Sequence, residues 1–376
     1  MKRTSCWVLI IGLLISLGML GCAEKEENVV KVGAVFPITG NIAQFGNYWK
    51  QGLELALYDA INQGVIPKDK IKLIIEDGQA DPRKSVDAFK KLVEVDKVVA
   101  CIPATSGVTL ALKPIANQNK IVLINASAIS TEIEDAPDYV FSVIPNAKFT
   151  GYFLAETAFN KLGKRNAGVL YRDDASGKSF LDNFSKRFKE LGGNIVFVDS
   201  HEPNATDFRT NIAKIKNVKN MDVIFVASWG TDVAYYLRQA TELGVHTQVL
   251  AYETFYTPKV LEIAGSSANG VIFSAPEFNA WIDEPRLKEF REKVLKKYNQ
   301  KEINYHIAGH YDAMMLILKA ISAGNMTGET IKNYLSGMRS FQGITGEIRF
   351  DNNGGAQVPL SLFTVRNEKF SPYLYP

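Results

Sequence analysis

The chain has 376 residues, of which 46% are hydrophobic and 22% charged, and its formal net charge at pH 7 is +3. This composition is typical of globular proteins, and the length allows one large domain or two domains of medium size. A charge so close to neutral excludes the strongly basic surface of proteins that bind nucleic acid or an anionic membrane.

The N-terminal segment has the pattern of an export signal. Within residues 1–21, Lys2 and Arg3 precede an apolar run that is too short and wrongly flanked for a stable membrane span. The segment leads into MLGC, which resembles a bacterial lipobox with Cys22 as the acylated residue. Residues 22–28 would then form a polar tether. We expect an exported protein, lipid-anchored at the membrane and facing the periplasm or the cell exterior; the alternative is a signal peptide without lipidation.

Only one cysteine is expected in the folded part of the protein. Cys6 is removed with the signal, and Cys22 is acylated, which leaves Cys101 at the end of an apolar run. An internal disulfide is therefore not expected. Cys101 is predicted to be a small buried hydrophobic residue.

The first half of the mature chain alternates between strands and helices. The strand VVKVGAVF precedes a helix over AQFGNYWKQGLELALYDAINQG, with apolar residues at 3.6-residue spacing and Gly64 as its C-cap. The strand IKLIIED precedes the helix DPRKSVDAFKKLVEVD, with Asp81 as N-cap and Pro82 at the first helical position. KVVACI and KIVLIN are predicted strands on either side of a short helix, which Pro114 is expected to kink or end.

The same alternation restarts at the strand NAGVLY. The helices GKSFLDNFSKRFKELGG, ATDFRTNIAKIKN and GTDVAYYLRQATELG are interspersed with the strands NIVFVD, MDVIFVAS, TQVLAY and ANGVIFSA. Two further helices, PRLKEFREKVLKKYNQ and HIAGHYDAMMLILKAISAG, precede the strand-like GEIRF and PLSLFTVR around the turn DNNGG. Because the alternation runs twice over comparable lengths, the sequence predicts an α/β fold with two parallel, doubly wound sheets.

Segments of small and polar residues follow most of the predicted strands. In open parallel sheets, ligands bind beyond the carboxyl ends of the strands. The segments at these positions are PITGNIAQFG, PATSGVT and NASAIS in the first half, and RDDASGK, SWGTD and YETFY in the second. Two facing rims of this kind predict a cleft between two lobes.

Thr105 and Ser106 stand where a predicted strand meets a helix. The first N–H groups of a helix have no partner within the helix. In one interpretation, a Thr105 or Ser106 hydroxyl caps them. In the other, these N–H groups and the Ser106 hydroxyl bind a ligand carboxylate, which the helix dipole favours.

Glu253 follows a predicted strand and is flanked by Tyr252, Phe255 and Tyr256. Aromatic walls around one carboxylate suit a cation in a partly dry pocket. An ammonium at Glu253 and a carboxylate at Ser106 would together describe an α-amino acid. Phe45 and Trp229 would close over its side chain; the alternative for each aromatic residue is core packing.

Five segments carry a resemblance to a known family: VKVGAVFPITGNIAQFGNYWKQGLELALYDAIN, TSGVTLALKPIA, FLDNFSKRFKELGGNIV, TDFRTNIAKIKN and YDAMMLILKAI. Together they resemble the leucine/isoleucine/valine-binding branch of the type I periplasmic binding proteins over about residues 29–370. The resemblance implies two Rossmann-like lobes with parallel sheets, joined by a three-crossing hinge that closes on a ligand. It also implies a monomer without a cofactor that delivers its ligand to the permease of an ABC importer.

From the resemblance we place the crossings near Asn146, Pro276 and Gly354. The expected first lobe comprises residues 29–146 and 277–354, and the second lobe residues 147–276 and 355–376.

The resemblance assigns roles to several site residues. Ser106 matches the serine that binds the ligand carboxylate, Phe45 falls at the aromatic lid, and Glu253 matches the acid that meets the ligand ammonium. Ser127 and Ala128 lie where small residues offer backbone groups.

Three positions depart from the family pattern. Ile129 stands where a threonine usually binds both carboxylate and ammonium, Ala147 where a second acid often lies, and Ser176 where a tyrosine is common. Replacing a buried threonine by isoleucine removes a hydrogen-bonding group and adds apolar surface. We therefore expect a hydrophobic or branched-chain amino acid, or another small carboxylate or amide, as the ligand.

Other classes of function have weaker support. His306 and His310 are four residues apart and could begin a metal site, but no HExxH or CxxC motif accompanies them. No G-x-G-x-x-G motif follows the first strand, so dinucleotide binding is not expected, and neither is an enzyme. A freestanding sensor of the same fold stays an alternative, although sensors of this fold normally continue into a membrane span and a cytoplasmic domain.

Overall fold

The structure is a computed structural model that describes residues 29–276, 284–299 and 305–374. The predicted export signal, Cys22 and the tether of residues 22–28 lie outside the described residues, so these assignments stay predictions. Among the residues described, no helix is both long and apolar enough to cross a membrane.

Three sheets and eleven α-helices make up the described part of the chain. The strands are β1 Val30–Phe36, β2 Ile71–Asp77, β3 Ala100–Ile102, β4 Val122–Asn125, β5 Val140–Ser142, β6 Asn166–Arg172, β7 Asn194–His201, β8 Val223–Ala227, β9 Gln248–Ala251, β10 Ile272–Pro276, β11 Ser340–Gly343, β12 Gly346–Phe350, β13 Ala356–Gln357, β14 Leu360–Arg366 and β15 Lys369–Pro372. The helices are α1 Ala43–Asn62, α2 Pro82–Lys91, α3 Ser106–Asn119, α4 Ala147–Glu156, α5 Ala175–Glu190, α6 Arg209–Lys216, α7 Gly230–Glu242, α8 Pro258–Ala264, α9 Pro285–Tyr298, α10 Tyr305–Ser322 and α11 Gly328–Ser336.

The first sheet has the order β2-β1-β3-β4-β5, and every pair in it is parallel. Its strands are short and rich in β-branched residues, which suits strands buried on both faces. Cys101 lies in β3 with no exposed surface, which confirms its prediction as a buried residue. Burial raises the pKa of its thiol.

The second sheet has the order β15-β14-β10-β9-β8-β6-β7. Strands β6 to β10 are parallel, as predicted, but β14 runs antiparallel to β10 and to β15. Asn367 and Glu368 join β14 to β15 with φ of 51° and 56°, as in the two-residue turns that favour antiparallel hairpins. The predicted parallel sheet is confirmed, and β14 and β15 extend its edge in an antiparallel arrangement that the sequence did not predict. The small third sheet, β11-β12-β13, is antiparallel.

The helix signals were mostly read correctly. Asp81 caps α2 by accepting a hydrogen bond from the Lys84 N–H, and Pro82 occupies the first turn, as predicted. The C-cap of α1 is Gln63 rather than the predicted Gly64, which follows it with φ of 69°, a value that glycine adopts without strain. Of the two predictions for Pro114, a kink or an end, the end is contradicted, because α3 continues to Asn119. One missing N–H costs the helix a single bond, and the buried residues on either side of Pro114 keep it packed.

The chain passes between the two large sheets three times. It leaves the first sheet after β5, returns to pack α9, α10 and α11 beside that sheet, and enters the second sheet again at β14. The hinge positions near Asn146, Pro276 and Gly354, and the lobe boundaries set by them, stay predictions.

Gly52 allows α1 and α10 to approach closely, which leads to a stability prediction. A Cβ atom at this position would lie 2.4 Å from the Ile307 carbonyl oxygen and 2.9 Å from the His310 Cβ. We expect Gly52→Ala to destabilise the protein by about 1–3 kcal/mol, since the helices must move apart. Gly337→Ala is the control, because its Cβ would meet nothing nearer than 3.6 Å. Urea unfolding curves that coincide for both variants would contradict the close approach of α1 to α10 at Gly52.

Candidate functional site

A cavity of about 440 Å³ lies where the carboxyl ends of both large sheets face each other. Every loop that contributes to its wall follows a strand, as expected for a site on parallel sheets. The lining residues of the first sheet's side are Gly40, Asn41, Ile42, Gln79, Ala80, Pro82, Thr105, Ser106, Gly107, Ser127 and Ile129. Those of the second sheet's side are Arg172, Asp174, Ser176, Pro203, Asn204, Trp229, Tyr252, Glu253 and Thr254.

Neither the Thr105 nor the Ser106 hydroxyl caps the N-terminus of α3. Thr105 is the N-cap residue, but its side chain accepts no hydrogen bond from the helix. The Ser106 Oγ instead accepts from the backbone N–H groups of Ile129 at 3.0 Å and Ser130 at 3.1 Å. Two accepted bonds leave the hydroxyl hydrogen free to donate. Ser106 and Gly107 both line the cavity, so the start of α3 offers its N–H groups to a bound anion.

Asn125 organises the loop that carries the next predicted residues. Its Oδ1 accepts from the N–H groups of Ser127 at 3.1 Å and Ala128 at 2.7 Å, and its Nδ2 donates to the Ala128 carbonyl at 2.7 Å. Ser127 lines the cavity, and its hydroxyl donates to the Ala104 carbonyl at 2.8 Å. Ala128 is not among the lining residues, and both its backbone polar groups are engaged by Asn125.

Ile129 and Ala147 are connected behind the cavity wall. Ile129 lines the cavity with 4% of its surface exposed, so its apolar side chain occupies a place where water is largely excluded. Its carbonyl accepts from the Ala147 N–H at 2.7 Å. Ala147 is buried and lies outside the lining, at the start of α4.

Glu253 lies in the cavity wall on the opposite side from Ser106. It begins a single 3₁₀ turn after β9 and is 9% exposed. Among the described residues, no other side chain donates to its carboxylate, and burial raises its pKa to about 8. Burial, and then the nearby Glu253 carboxylate, raise the pKa of the Tyr252 and Tyr305 phenols. A buried carboxylate whose one described hydrogen-bond donor is its own backbone N–H is suited to receive a cation.

Contacts between the two sides close the cavity. The Phe45 ring meets the Trp229 ring edge-on, with a centroid distance of 4.8 Å. Ser130 Oγ lies 3.2 Å from Ser179 Oγ. Trp229 lines the cavity, whereas Phe45 packs behind it and does not. Phe45 therefore holds the aromatic wall in place from the first sheet's side.

Arg172 and Asp174 are site residues that the sequence interpretation missed. Arg172 ends β6, lines the cavity, and donates from Nε to Asp174 Oδ2 at 2.6 Å and from Nη1 to Asp232 Oδ2 at 3.3 Å. Ser176 also lines the cavity and donates to Asp174 Oδ1 at 2.6 Å. The sequence analysis placed the segment RDDASGK at the edge of the cleft. An arginine followed by two acids does not, however, indicate which side chain faces the cavity.

The two histidines considered for a metal site serve the core instead. His310 stacks on Trp49 with a centroid distance of 5.2 Å, and its Nδ1 meets the His306 carbonyl at 2.9 Å. Burial lowers the pKa of His306 to about 4. Over the ranges that the structure describes, no group of three or more potential metal ligands is found.

The chain is similar to known proteins over nearly its whole length. Residues 29–369 match the family model described as periplasmic binding protein. A leucine-binding protein of Thermotoga maritima is 26% identical, with a TM-score of 0.83 over 92% of this chain and 98% of that one. A branched-chain amino acid transporter substrate-binding protein of Streptococcus pneumoniae, solved with isoleucine, is 26% identical, with a TM-score of 0.82 over 91% and 97%. A Leu/Ile/Val-binding protein homologue of Brucella abortus is 21% identical over 88% of each chain.

Proposed function

The chain belongs to the periplasmic binding protein family, and we propose that it captures a hydrophobic or branched-chain amino acid for an ABC importer. Its fold is the type I periplasmic binding protein fold, an α/β fold with two mainly parallel sheets. One observation carries the proposal: Ser106 and Glu253 lie in the wall of the same cavity, one on each side. These are the two groups that an α-amino acid requires.

The carboxylate end of the ligand is proposed to lie at the start of α3. The Ser106 hydroxyl and the free N–H groups of Ser106 and Gly107 donate to it, and the helix dipole adds to the attraction. The ammonium lies at Glu253, whose carboxylate loses water on burial and has no competing donor among the described side chains. Ile129 and Trp229 supply apolar surface for the side chain.

Membership of the family supports a role outside the cytoplasm. Proteins of this family bind solutes outside the cytoplasm, which supports an exported chain. We further propose that Cys22 carries the lipid anchor, that the ligand is released to a membrane permease, and that the monomer performs no catalysis and binds no nucleic acid. A freestanding sensor role is the alternative, and neighbouring genes for a permease and an ATPase would favour transport.

A small carboxylate without an amine is a second candidate ligand. Because its pKa is raised to about 8, Glu253 is mostly protonated at pH 7 in the empty cavity. A neutral acid needs no ammonium, so a ligand that binds only through its carboxylate would meet no unpaired charge there.

A thermal-shift screen of the refolded, leaderless protein tests the proposal. The panel contains branched, aromatic and polar amino acids, short carboxylates, amides and polyols. A ligand at about 100 times its Kd raises the free energy of unfolding by roughly 2.7 kcal/mol, which is readily measured. Stabilisation by apolar amino acids supports the proposal, whereas stabilisation by carboxylates alone favours the second candidate. No shift with any compound would contradict both.

Ile129→Thr is expected to broaden the range of ligands. A threonine hydroxyl at this position of the cavity wall adds a hydrogen-bonding group and removes apolar surface. We expect polar amino acids to bind about tenfold more tightly and leucine to bind no better. Calorimetric affinities for serine and leucine measure both effects, with Ile133→Thr as a buried control outside the lining. Unchanged affinities would mean that Ile129 does not contact the ligand.

A further inference from the structure

Arg172 is a charged residue of the cavity wall to which the proposed binding of carboxylate and ammonium gives no role. It is 9% exposed, and its Cζ lies 5.6 Å from the centroid of the Trp229 ring. A guanidinium group is rarely buried in a protein unless its N–H groups donate hydrogen bonds. The hydrogen bonds that Arg172 makes within the protein therefore indicate which of its N–H groups are still available to a ligand.

Only part of the guanidinium has a partner in the protein. Nε donates to Asp174 and Nη1 to Asp232, and within the part of the chain that the structure describes no acceptor meets Nη2. Asp174 is already fixed by the Ser176 hydroxyl and the Gly177 N–H, and so it cannot easily turn. Because Arg172 lines the cavity, an acceptor for Nη2 is expected from the cavity contents.

Two acids already balance the charge of Arg172. Asp174 and Asp232 both lie within ion-pair distance of it, and the Ser228 hydroxyl donates to Asp232 at 2.8 Å. The cluster thus has no excess positive charge to attract an anion from a distance. Arg172 instead presents a fixed, directional donor, which an oxygen atom at one particular place can use.

We propose that Arg172 Nη2 donates a hydrogen bond to an oxygen of the bound ligand and so acts as a specificity-determining residue of the second lobe. The inference rests on the proposed function, because it places the ligand in the same cavity. The oxygen has two possible sources: the second oxygen of the α-carboxylate, or a side-chain oxygen of the ligand.

Calorimetry with the wild type and Arg172→Lys separates these sources. Lysine keeps the positive charge beside Asp174 and Asp232 but lacks the second arm of the fork. The probes are L-leucine, L-asparagine, which has the shape of leucine with a side-chain oxygen, and 4-methylpentanoate, which is leucine without its ammonium. We expect a loss of about 10- to 100-fold. A loss with leucine and 4-methylpentanoate assigns the carboxylate oxygen, and a loss confined to asparagine assigns a side-chain oxygen.

Arg187→Lys is the matched control. Arg187 also lies in the second lobe and pairs with two acids, Glu156 and Glu190, but it is outside the cavity lining. Its substitution is expected to leave all three affinities unchanged. If Arg172→Lys does not fold, Arg172→Gln is used in its place. The ratio of its leucine affinity to its asparagine affinity is then compared with the wild-type ratio.

The outcomes distinguish this inference from the proposed function. Affinities of Arg172→Lys within about twofold of the wild type for every bound probe would overturn the inference, since a lost charged hydrogen bond costs more. Binding of 4-methylpentanoate alone would overturn the amino-acid proposal, while the Arg172→Lys comparison on that probe still decides the inference. A wild type that binds none of the three probes at 10 mM would overturn both.

Discussion

Glu253→Gln is expected to weaken the binding of leucine by about 100-fold or more, the largest effect of any substitution considered. The variant keeps the size of the side chain but removes the negative charge that is proposed to meet the ligand ammonium. Because Glu253 is 9% exposed and no other described side chain donates to it, little water is available to replace that interaction. The same substitution is expected to stabilise the empty protein at pH 7, since folding then no longer requires the protonation of Glu253.

The pH dependence of the empty protein follows from the raised pKa. In the unfolded chain Glu253 ionises near 4.5, and in the folded protein near 8. Stability from the protonated carboxyl is therefore fully present below pH 4.5 and is lost as the pH rises towards 8. At pH 7 the accumulated loss is on the order of 3 kcal/mol, and Glu253→Gln should recover much of it.

Binding of a ligand ammonium is expected to lower the pKa of Glu253 and release its proton. The ligand charge favours the carboxylate, so at pH 7 the wild type should release about 0.9 proton per leucine bound. The affinity should rise about tenfold per pH unit between pH 5 and 7 and level off near the pKa of about 8.

Calorimetry in buffers of different ionisation enthalpy counts the released protons. Asp312→Asn is the control, because Asp312 is another buried acid, with a pKa raised to about 6, but it lies outside the cavity lining. It should leave proton release unchanged, and Glu253→Gln should abolish it. Proton release by Glu253→Gln equal to that of the wild type would rule out Glu253 as the ammonium partner.

The sequence predicted most strands of both large sheets, because runs of β-branched residues are a local signal, but it missed the short edge strands β5 and β15. A helix such as α1 shows its apolar face every 3.6 residues, whatever it packs against. Antiparallel β14 could not be predicted in the same way, since a strand's direction depends on which distant strand it joins. Pro114 shows the same limit: its local preference was read correctly, but packing around α3 overrides it.

Site positions at the ends of buried strands were the easiest to predict. Ser106 and Glu253 follow buried strands, so their position at the sheet ends could be inferred. Ala128 and Phe45 were placed in the site, but neither lines the cavity: Asn125 engages the backbone of Ala128, and Phe45 packs against Trp229. Arg172 was missed because its role depends on Asp232, which is 60 residues away.

Ser106→Ala is expected to weaken both the ligand complex and the empty protein. The Ser106 Oγ is the acceptor for the buried N–H groups of Ile129 and Ser130, so alanine leaves two donors unsatisfied. Each such donor costs about 1–3 kcal/mol, and a combined loss of about 3 kcal/mol in the free energy of unfolding is expected. Loss of the hydroxyl donor to the carboxylate should lower leucine affinity by about 10- to 100-fold.

Ser85→Ala separates the two effects. Ser85 is also a buried serine of the first lobe, but its hydroxyl donates to the Gly78 carbonyl at 3.3 Å and does not line the cavity. It should change stability slightly and leucine affinity not at all. Urea unfolding and calorimetry on both variants give the four values required. A stability loss in Ser106→Ala with unchanged affinity would make Ser106 a structural bridge between α3 and the loop after β4, and the carboxylate would then have to bind elsewhere in the cavity.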